Sequence, residues 1–97
     1  LFLIFGKKVQ AEGILNESGF KVLKGSHISQ KIRRSCPSHV KKLRDLLIKD
    51  GVVQDYTFSE DYVFKTPSGA AACVLGGSAN GNISWVDKDG KTLGECR

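Results

Sequence analysis

The sequence predicts an α+β domain in which mainly antiparallel strands are combined with two helices. Short stretches that alternate between apolar and polar residues, separated by turns rich in Gly and Asn, are typical of antiparallel strands. Both Pro residues follow residues that suit a helix cap, and this pattern predicts a helix at each position. The 97 residues also include five Phe, two Tyr and one Trp, which suit the core of one domain covering residues 1–97.

Seven strands are predicted, in three antiparallel groups. The predicted strands are residues 1–5, 9–15, 20–28, 52–58, 62–65, 83–86 and 91–93. The first three form a hairpin or meander, and Gly6 ends the first of them. The next two form a hairpin, and the last two form another across the turn at residues 87–90. The predicted order is therefore β-β-β-α-β-β-α-β-β, with both helices on one side.

The first predicted helix covers residues 37–50 and is amphipathic. Ser35 or Cys36 is its N-cap, Pro37 is its first residue, and Gly51 follows its end. At about 100° per residue, apolar and charged side chains fall on opposite arcs. The apolar arc contains Val40, Leu43 and Leu47, with Leu46 and Ile48 beside it. The opposite arc contains Lys41, Lys42, Asp45 and Lys49.

The second predicted helix covers residues 67–75. Thr66 suits its N-cap, and the pair Gly76-Gly77 ends it. Three consecutive Ala residues give this helix small side chains, so that another backbone or a ligand can approach its axis closely. Residues 78–82 follow as a loop with Asn80-Gly81 as its turn.

Positive charge is concentrated in the first half of the chain. Residues 1–51 contain eleven Lys and Arg against four Asp and Glu, whereas residues 52–97 contain four against six. The densest stretch, residues 31–49, has seven basic residues and one acid. Such an excess favours a polyanionic partner, and nucleic acid is favoured over a membrane surface. The alternative is that these residues form the solvated outer face of a helix, which explains the same pattern.

Composition excludes several classes of protein. No apolar run reaches the roughly 20 residues that a membrane-spanning helix needs. The chain has three cysteines, Cys36, Cys73 and Cys96, and their spacing is not that of a zinc site. Their odd number argues against a disulfide framework and favours the reducing cytoplasm. The chain contains no Met, so we expect it to be an excised domain of a longer protein.

The titratable residues do not form a recognisable enzyme site. His27 and His39 are predicted on different elements, and Asp45 does not share a helix face with His39. The glycine-rich stretch 76–81 follows a helix, whereas a phosphate-binding loop precedes one. We therefore predict no catalytic activity, no metal and no cofactor.

Two smaller groups are candidates for ligand contact. At the start of the second helix, Lys65, Thr66 and Ser68 surround free N–H groups that attract an anion, although capping alone explains Thr66. Amides pair with base edges and indoles stack on bases, so Asn80 and Trp85 are further candidates. A lone Trp in a small domain is, however, most often part of the core.

Four stretches occur in an order that resembles a known family. They are residues 19–26 (Gly-Phe-Lys-Val-Leu-Lys-Gly-Ser), residues 43–52 (Leu-Arg through Leu47 to Gly-Val), residues 66–81 with their Pro-Ser-Gly-Ala-Ala-Ala and Ser-Ala-Asn-Gly blocks, and Trp85 with residues 89–93. Over roughly residues 9–93 the chain resembles an uncharacterised bacterial domain family, often found at the C-terminus of GIY-YIG-type nuclease proteins or restriction-associated chains. Its second half is similar to the restriction-system adenine-methylase-associated domain, for which DNA binding is proposed. The resemblance implies an accessory module on a DNA-processing protein.

Charge and resemblance together predict a non-catalytic module that binds nucleic acid, DNA in particular, and is attached to a nuclease domain in the same chain. The candidate binding residues are Lys31, Arg33, Arg34, Lys41, Lys42, Lys49, Lys65, Thr66, Ser68, Asn80 and Trp85. The alternative is a protein-interaction or dimerisation domain that uses the strand edge at residues 1–5.

Overall fold

The computed structural model of the chain describes residues 1–5, 9–34 and 36–96. Its elements in chain order are β1 (Phe2–Phe5), β2 (Gln10–Asn16), β3 (Gly19–Val22), α1 (Ser38–Lys49), β4 (Val53–Gln54), β5 (Thr57–Phe58), β6 (Tyr62–Phe64), α2 (Pro67–Leu75), α3 (Gly81–Ser84) and α4 (Leu93–Cys96). The predicted α+β class is confirmed. The predictions for Gly6 and Ser35 fall outside the described residues.

A four-stranded antiparallel sheet, in the order β1-β2-β3-β6, forms one layer. Side chains alternate between its two faces, and the inner face carries Ala11, Phe20, Val22 and Phe64, all of them buried. Phe20 lies directly opposite Phe64 on the neighbouring strand. The predicted meander of the first three strands is confirmed, with the third strand ending early at Val22.

Helix α2 packs on the inner face of this sheet, and α1 packs on α2. All residues from Ala70 to Val74 are buried, and their small side chains allow this close packing. The cap prediction is confirmed, since the Oγ1 of Thr66 accepts a hydrogen bond from the Gly69 N–H (3.0 Å). Gly76 ends the helix with a left-handed φ of 72°.

Helix α1 begins one residue later than predicted. Pro37 has the extended backbone of an N-cap (φ −61°, ψ 148°), so Cys36 is not the N-cap and Pro37 is not the first helical residue. Val40 and Leu47 are buried and Leu43 is half-buried, as the apolar arc predicts. Leu46 and Ile48 flank that arc and are about half exposed.

The predicted single strand at residues 52–58 is wrong. The chain reverses at Asp55 and Tyr56, whose φ values are both positive (52° and 58°), and β4 pairs with β5. Val53 and Phe58 are both buried, and because they are five residues apart a continuous strand would point them to opposite faces. The predicted hairpin with residues 62–65 is consequently wrong too, and β6 pairs with β3 instead.

The predicted final hairpin is also wrong. The Oδ1 of Asn80 accepts a hydrogen bond from the Asn82 N–H (2.9 Å) and caps the short helix α3, so residues 81–84 are helical. Only a single bridge between Val86 and Thr92 remains of the predicted pairing. Val86 also pairs with Leu3, which extends the sheet beyond β1.

Trp85 is the largest fully buried side chain. Its indole contacts the Phe20 ring at a centroid distance of 4.5 Å, and its Nε1–H donates to the carbonyl oxygen of Pro67 (3.0 Å). The sheet, the start of α2 and the chain after α3 therefore meet at this residue. Within the described residues, no helix has the length and apolar character needed to cross a membrane.

Candidate nucleic-acid interface

Residues 29–34, which we call the basic loop, cross the C-terminal end of α2. Lys31, Arg33 and Arg34 are exposed on it. The N–H of Ser29 donates to the carbonyl oxygen of Val74 (2.7 Å), and the N–H of Arg33 donates to that of Gly76 (2.7 Å). The loop is thus held by backbone hydrogen bonds, which leave its charged side chains available to solvent.

The glycine pair that ends α2 permits this close approach. A Cβ atom at Gly76 would lie 2.7 Å from the carbonyl oxygen of Lys31, and one at Gly77 would lie 2.7 Å from the Cδ of Arg33. Both distances are shorter than a van der Waals contact. The pair therefore has a second role, besides ending the helix, in seating the basic loop.

Arg44 is the residue that the sequence reasoning missed. Its side chain is only 3% exposed, and its guanidinium donates to the carbonyl oxygens of Cys73 (2.6 Å) and Ser29. It therefore joins α1 to the end of α2 and to the start of the basic loop, where a cation also complements the negative end of the helix dipole. The signal in the sequence was its position on the apolar arc, four residues after Val40 and three before Leu47.

The basic loop leads directly into α1. The N–H of Cys36 donates to the carbonyl oxygen of Arg33 (3.0 Å), and this turn places the loop beside the start of the helix. Lys41 and Lys42 are exposed on the first turns of α1 and follow the loop closely in sequence. Lys49 lies about 10 Å further along the axis, at the rise of an α-helix.

The predicted residues around the start of α2 form a separate group. Helix α2 has nine residues, so its two ends are about 13 Å apart. Residues 77–81 run back along it, since Gly77 packs against Arg33 and Gly81 packs against Pro67. Lys65, Thr66, Ser68 and Asn80 therefore lie at the opposite end of α2 from the basic loop.

Three of the four side chains in this second group accept hydrogen bonds within the protein, and Lys65 is exposed. The Oγ1 of Thr66 accepts from Gly69, the Oγ of Ser68 accepts from the Gly81 N–H (2.9 Å), and the Oδ1 of Asn80 accepts from Asn82. They line, or lie beside, a cleft of about 410 Å³ that Glu17 also lines. Lys65 lines the same cleft, so a cation and a carboxylate are both present there. Capping is the role that the three hydrogen bonds show.

Trp85 does not belong to a binding surface. With no exposed area, its indole has no face on which a base could stack. The other interpretation of this residue, a core tryptophan, is the one that the structure shows.

The cysteines differ sharply in accessibility. Cys36 and Cys73 are buried and Cys96 is exposed, and all three are free thiols. Burial raises the pKa of Cys73 to about 12, so its thiol stays protonated at neutral pH. Among the described residues, no group of three or more His, Cys, Asp or Glu side chains is arranged to hold a metal ion.

Alkylation at neutral pH is therefore expected to modify one thiol, Cys96, in the native protein. Cys36 and Cys73 should react only after denaturation, because the attacking species is an accessible thiolate. The mass of the intact protein after maleimide treatment, with and without denaturant, measures this. Rapid native modification of two or three thiols would contradict the packing of α1 against α2.

The family comparison confirms the resemblance to an uncharacterised domain family. A family model described as "Domain of unknown function (DUF4357)" matches residues 2–97. No curated protein and no solved structure matches the chain. Since the model covers almost every residue, the chain belongs to the DUF4357 family of domains of unknown function.

Proposed function

We propose that this domain is a non-catalytic module that binds DNA through the basic loop and the first turns of α1. It acts in the cytoplasm as an accessory part of a nuclease or restriction-type protein. The observation that carries the proposal is the fixed exposure of Lys31, Arg33 and Arg34 across the end of α2. Lys41 and Lys42 follow closely in sequence and are exposed on α1.

The physical basis is electrostatic. Each cation that contacts a phosphate releases condensed counterions, so binding falls steeply as salt rises. A loop held in place by Arg44 and by two backbone hydrogen bonds loses little conformational entropy when it binds. We expect a non-specific Kd of roughly 10⁻⁴–10⁻⁶ M.

Titration of fluorescent duplex DNA at low and moderate salt tests the proposal. Replacing both Arg33 and Arg34 by Ala should reduce the slope of log K against log salt by up to about two units if both contact phosphate. The matched control replaces Lys88 and Lys91 by Ala. These are exposed cations near α4, and their removal takes away the same charge far from the basic loop in sequence.

The control variant should retain most of the slope. Absence of binding at low salt, or binding that salt does not change, would refute the proposal. An equal loss of slope in both double variants would mean that net charge, and not the basic loop, determines the affinity.

The alternative, protein interaction through the edge of β1, is less well supported by the structure. The N–H of Leu3 donates to the carbonyl oxygen of Val86 (2.6 Å), and the N–H of Val86 donates back to Leu3 (3.0 Å). The centre of that edge is thus already paired. A solution mass that rises with protein concentration would favour the alternative again.

A further inference from the structure

A cavity of about 600 Å³ opens between residues 27–31 and the turn that joins β4 to β5. We call it the Tyr56 pocket. Its lining includes His27, Ile28, Gln30, Lys31, Asp55, Tyr56 and Thr57, so that the Lys31 cation and the Asp55 carboxylate both border it. The volume lies within the roughly 300–1,000 Å³ that is typical of small-ligand sites. Lys31 belongs both to this pocket and to the basic loop, so the two features are contiguous.

Tyr56 is an unusual residue for its position. A two-residue hairpin turn with positive φ at both positions favours Asn, Asp or Gly. Asp55 therefore suits its first position, whereas Tyr56 does not suit the second. The Tyr56 side chain is 40% exposed, so full burial does not offset the backbone strain. Its carbonyl oxygen accepts from the Ile28 N–H (2.9 Å), a contact that Gly would make equally well. A strained, exposed aromatic residue at a cavity points to ligand contact.

The chemistry of the pocket fits a nucleobase. A tyrosine ring stacks on the face of any base. The amide of Gln30 both donates and accepts hydrogen bonds, and base edges offer both kinds of partner. The hydroxyl of Thr57 donates to the carbonyl oxygen of Asp55 (3.3 Å) and can still accept. Ile28 is buried beneath them and supplies an apolar floor. A base seated there directs its phosphate towards Lys31 and the basic loop.

We infer that the Tyr56 pocket takes one unpaired base of a single-stranded DNA segment while the basic loop binds the adjoining phosphates. This inference rests on the proposed nucleic-acid function and names the ligand that the domain binds. A paired base must first leave the duplex stack, which costs free energy. The domain therefore binds a single strand more tightly than the duplex of the same sequence.

Fluorescence anisotropy with a short labelled strand, its duplex, and the same strand with abasic positions tests the inference. Tyr56→Gly removes the ring and suits the positive φ, so the variant is expected to fold. It should weaken single-strand binding about tenfold, the effect of losing one stacked base, and leave duplex binding unchanged. Tyr56→Phe retains the ring and should restore the affinity. Ile83→Ala, which shortens an exposed side chain on α3, is the control for loss of apolar surface.

The outcomes separate the two proposals. Equal single-strand affinity for the Tyr56→Gly variant and the parent protein, or equal affinity for the abasic strand, would overturn the pocket inference. If the pocket inference fails in this way but duplex binding still falls in the Arg33 and Arg34 double variant, the proposed function is supported and only the pocket inference is rejected. If no strand or duplex binds at low salt, both proposals fail. A second readout is chemical-shift change at His27, Lys31 and Tyr56 when a deoxynucleoside monophosphate is added, with deoxyribose phosphate as the reference.

Discussion

Replacing Arg44 by Leu is expected to lower the free energy of unfolding by about 2–4 kcal/mol. The substitution removes the donors that satisfy the carbonyl oxygens of Cys73 and Ser29. An unsatisfied buried carbonyl costs about 1–3 kcal/mol, and relief from burying the cation offsets part of that loss. For a domain with a typical stability of 5–15 kcal/mol, this is a large fraction.

Urea denaturation followed by circular dichroism measures the change. Lys42→Leu is the matched control, because it removes one exposed cation from the same helix and should change stability by no more than about 0.5 kcal/mol. The Arg44→Leu variant should also bind duplex DNA more weakly at temperatures where it is fully folded, since the basic loop has lost its link to α1. Full stability together with full DNA affinity in this variant would show that Arg44 does not hold the loop.

Replacing Trp85 by Ala is expected to destabilise the domain by about 3–5 kcal/mol, the usual cost of removing a large buried aromatic side chain. The indole is fully buried against Phe20, and its Nε1–H satisfies the carbonyl oxygen of Pro67. Loss of this contact also frees the start of α2 from the chain that follows α3. The variant should be close to unfolded at ambient temperature.

Thermal unfolding of the Trp85→Ala variant is compared with that of two variants that carry milder substitutions. Trp85→Phe retains an aromatic ring without the donor and should fall between the parent and Ala variants. Ile83→Ala, at a residue 66% exposed, should be nearly neutral. A stable Trp85→Ala variant with reduced DNA affinity would return this residue to the binding surface and contradict the core assignment.

Much of the fold could be predicted from local sequence patterns. Both long helices were found within one residue, because Pro37, Thr66 and the glycines after each helix are local signals. The turn at Asp55 and Tyr56 could not be found, since Tyr56 does not favour the positive φ that such a turn needs at both central positions. The short helix α3 was also missed, because its start depends on Gly81 lying against Pro67, a contact between residues that are distant in sequence.

The candidate site was predicted in part. Exposure of Lys31, Arg33, Arg34, Lys41 and Lys42 followed from charge and helix periodicity. The separation of Lys65 and Asn80 from these cations could not be predicted in this way. It depends on the length of α2 and on the path by which residues 77–81 return along that helix. The buried position of Arg44 could have been predicted, since helix periodicity places this cation on the apolar arc of α1.

The way in which the basic loop is attached has an evolutionary consequence. Its anchors are backbone groups of Ser29, Arg33, Val74 and Gly76, together with a side chain that comes from another element, Arg44. Lys31, Ile32 and Arg34 are exposed in the loop, and none of these anchoring hydrogen bonds uses their side chains. Substitutions there are free to change the charge of this surface without altering the path of the chain. The exposed side chains can therefore diverge among homologous domains while the supporting scaffold stays the same.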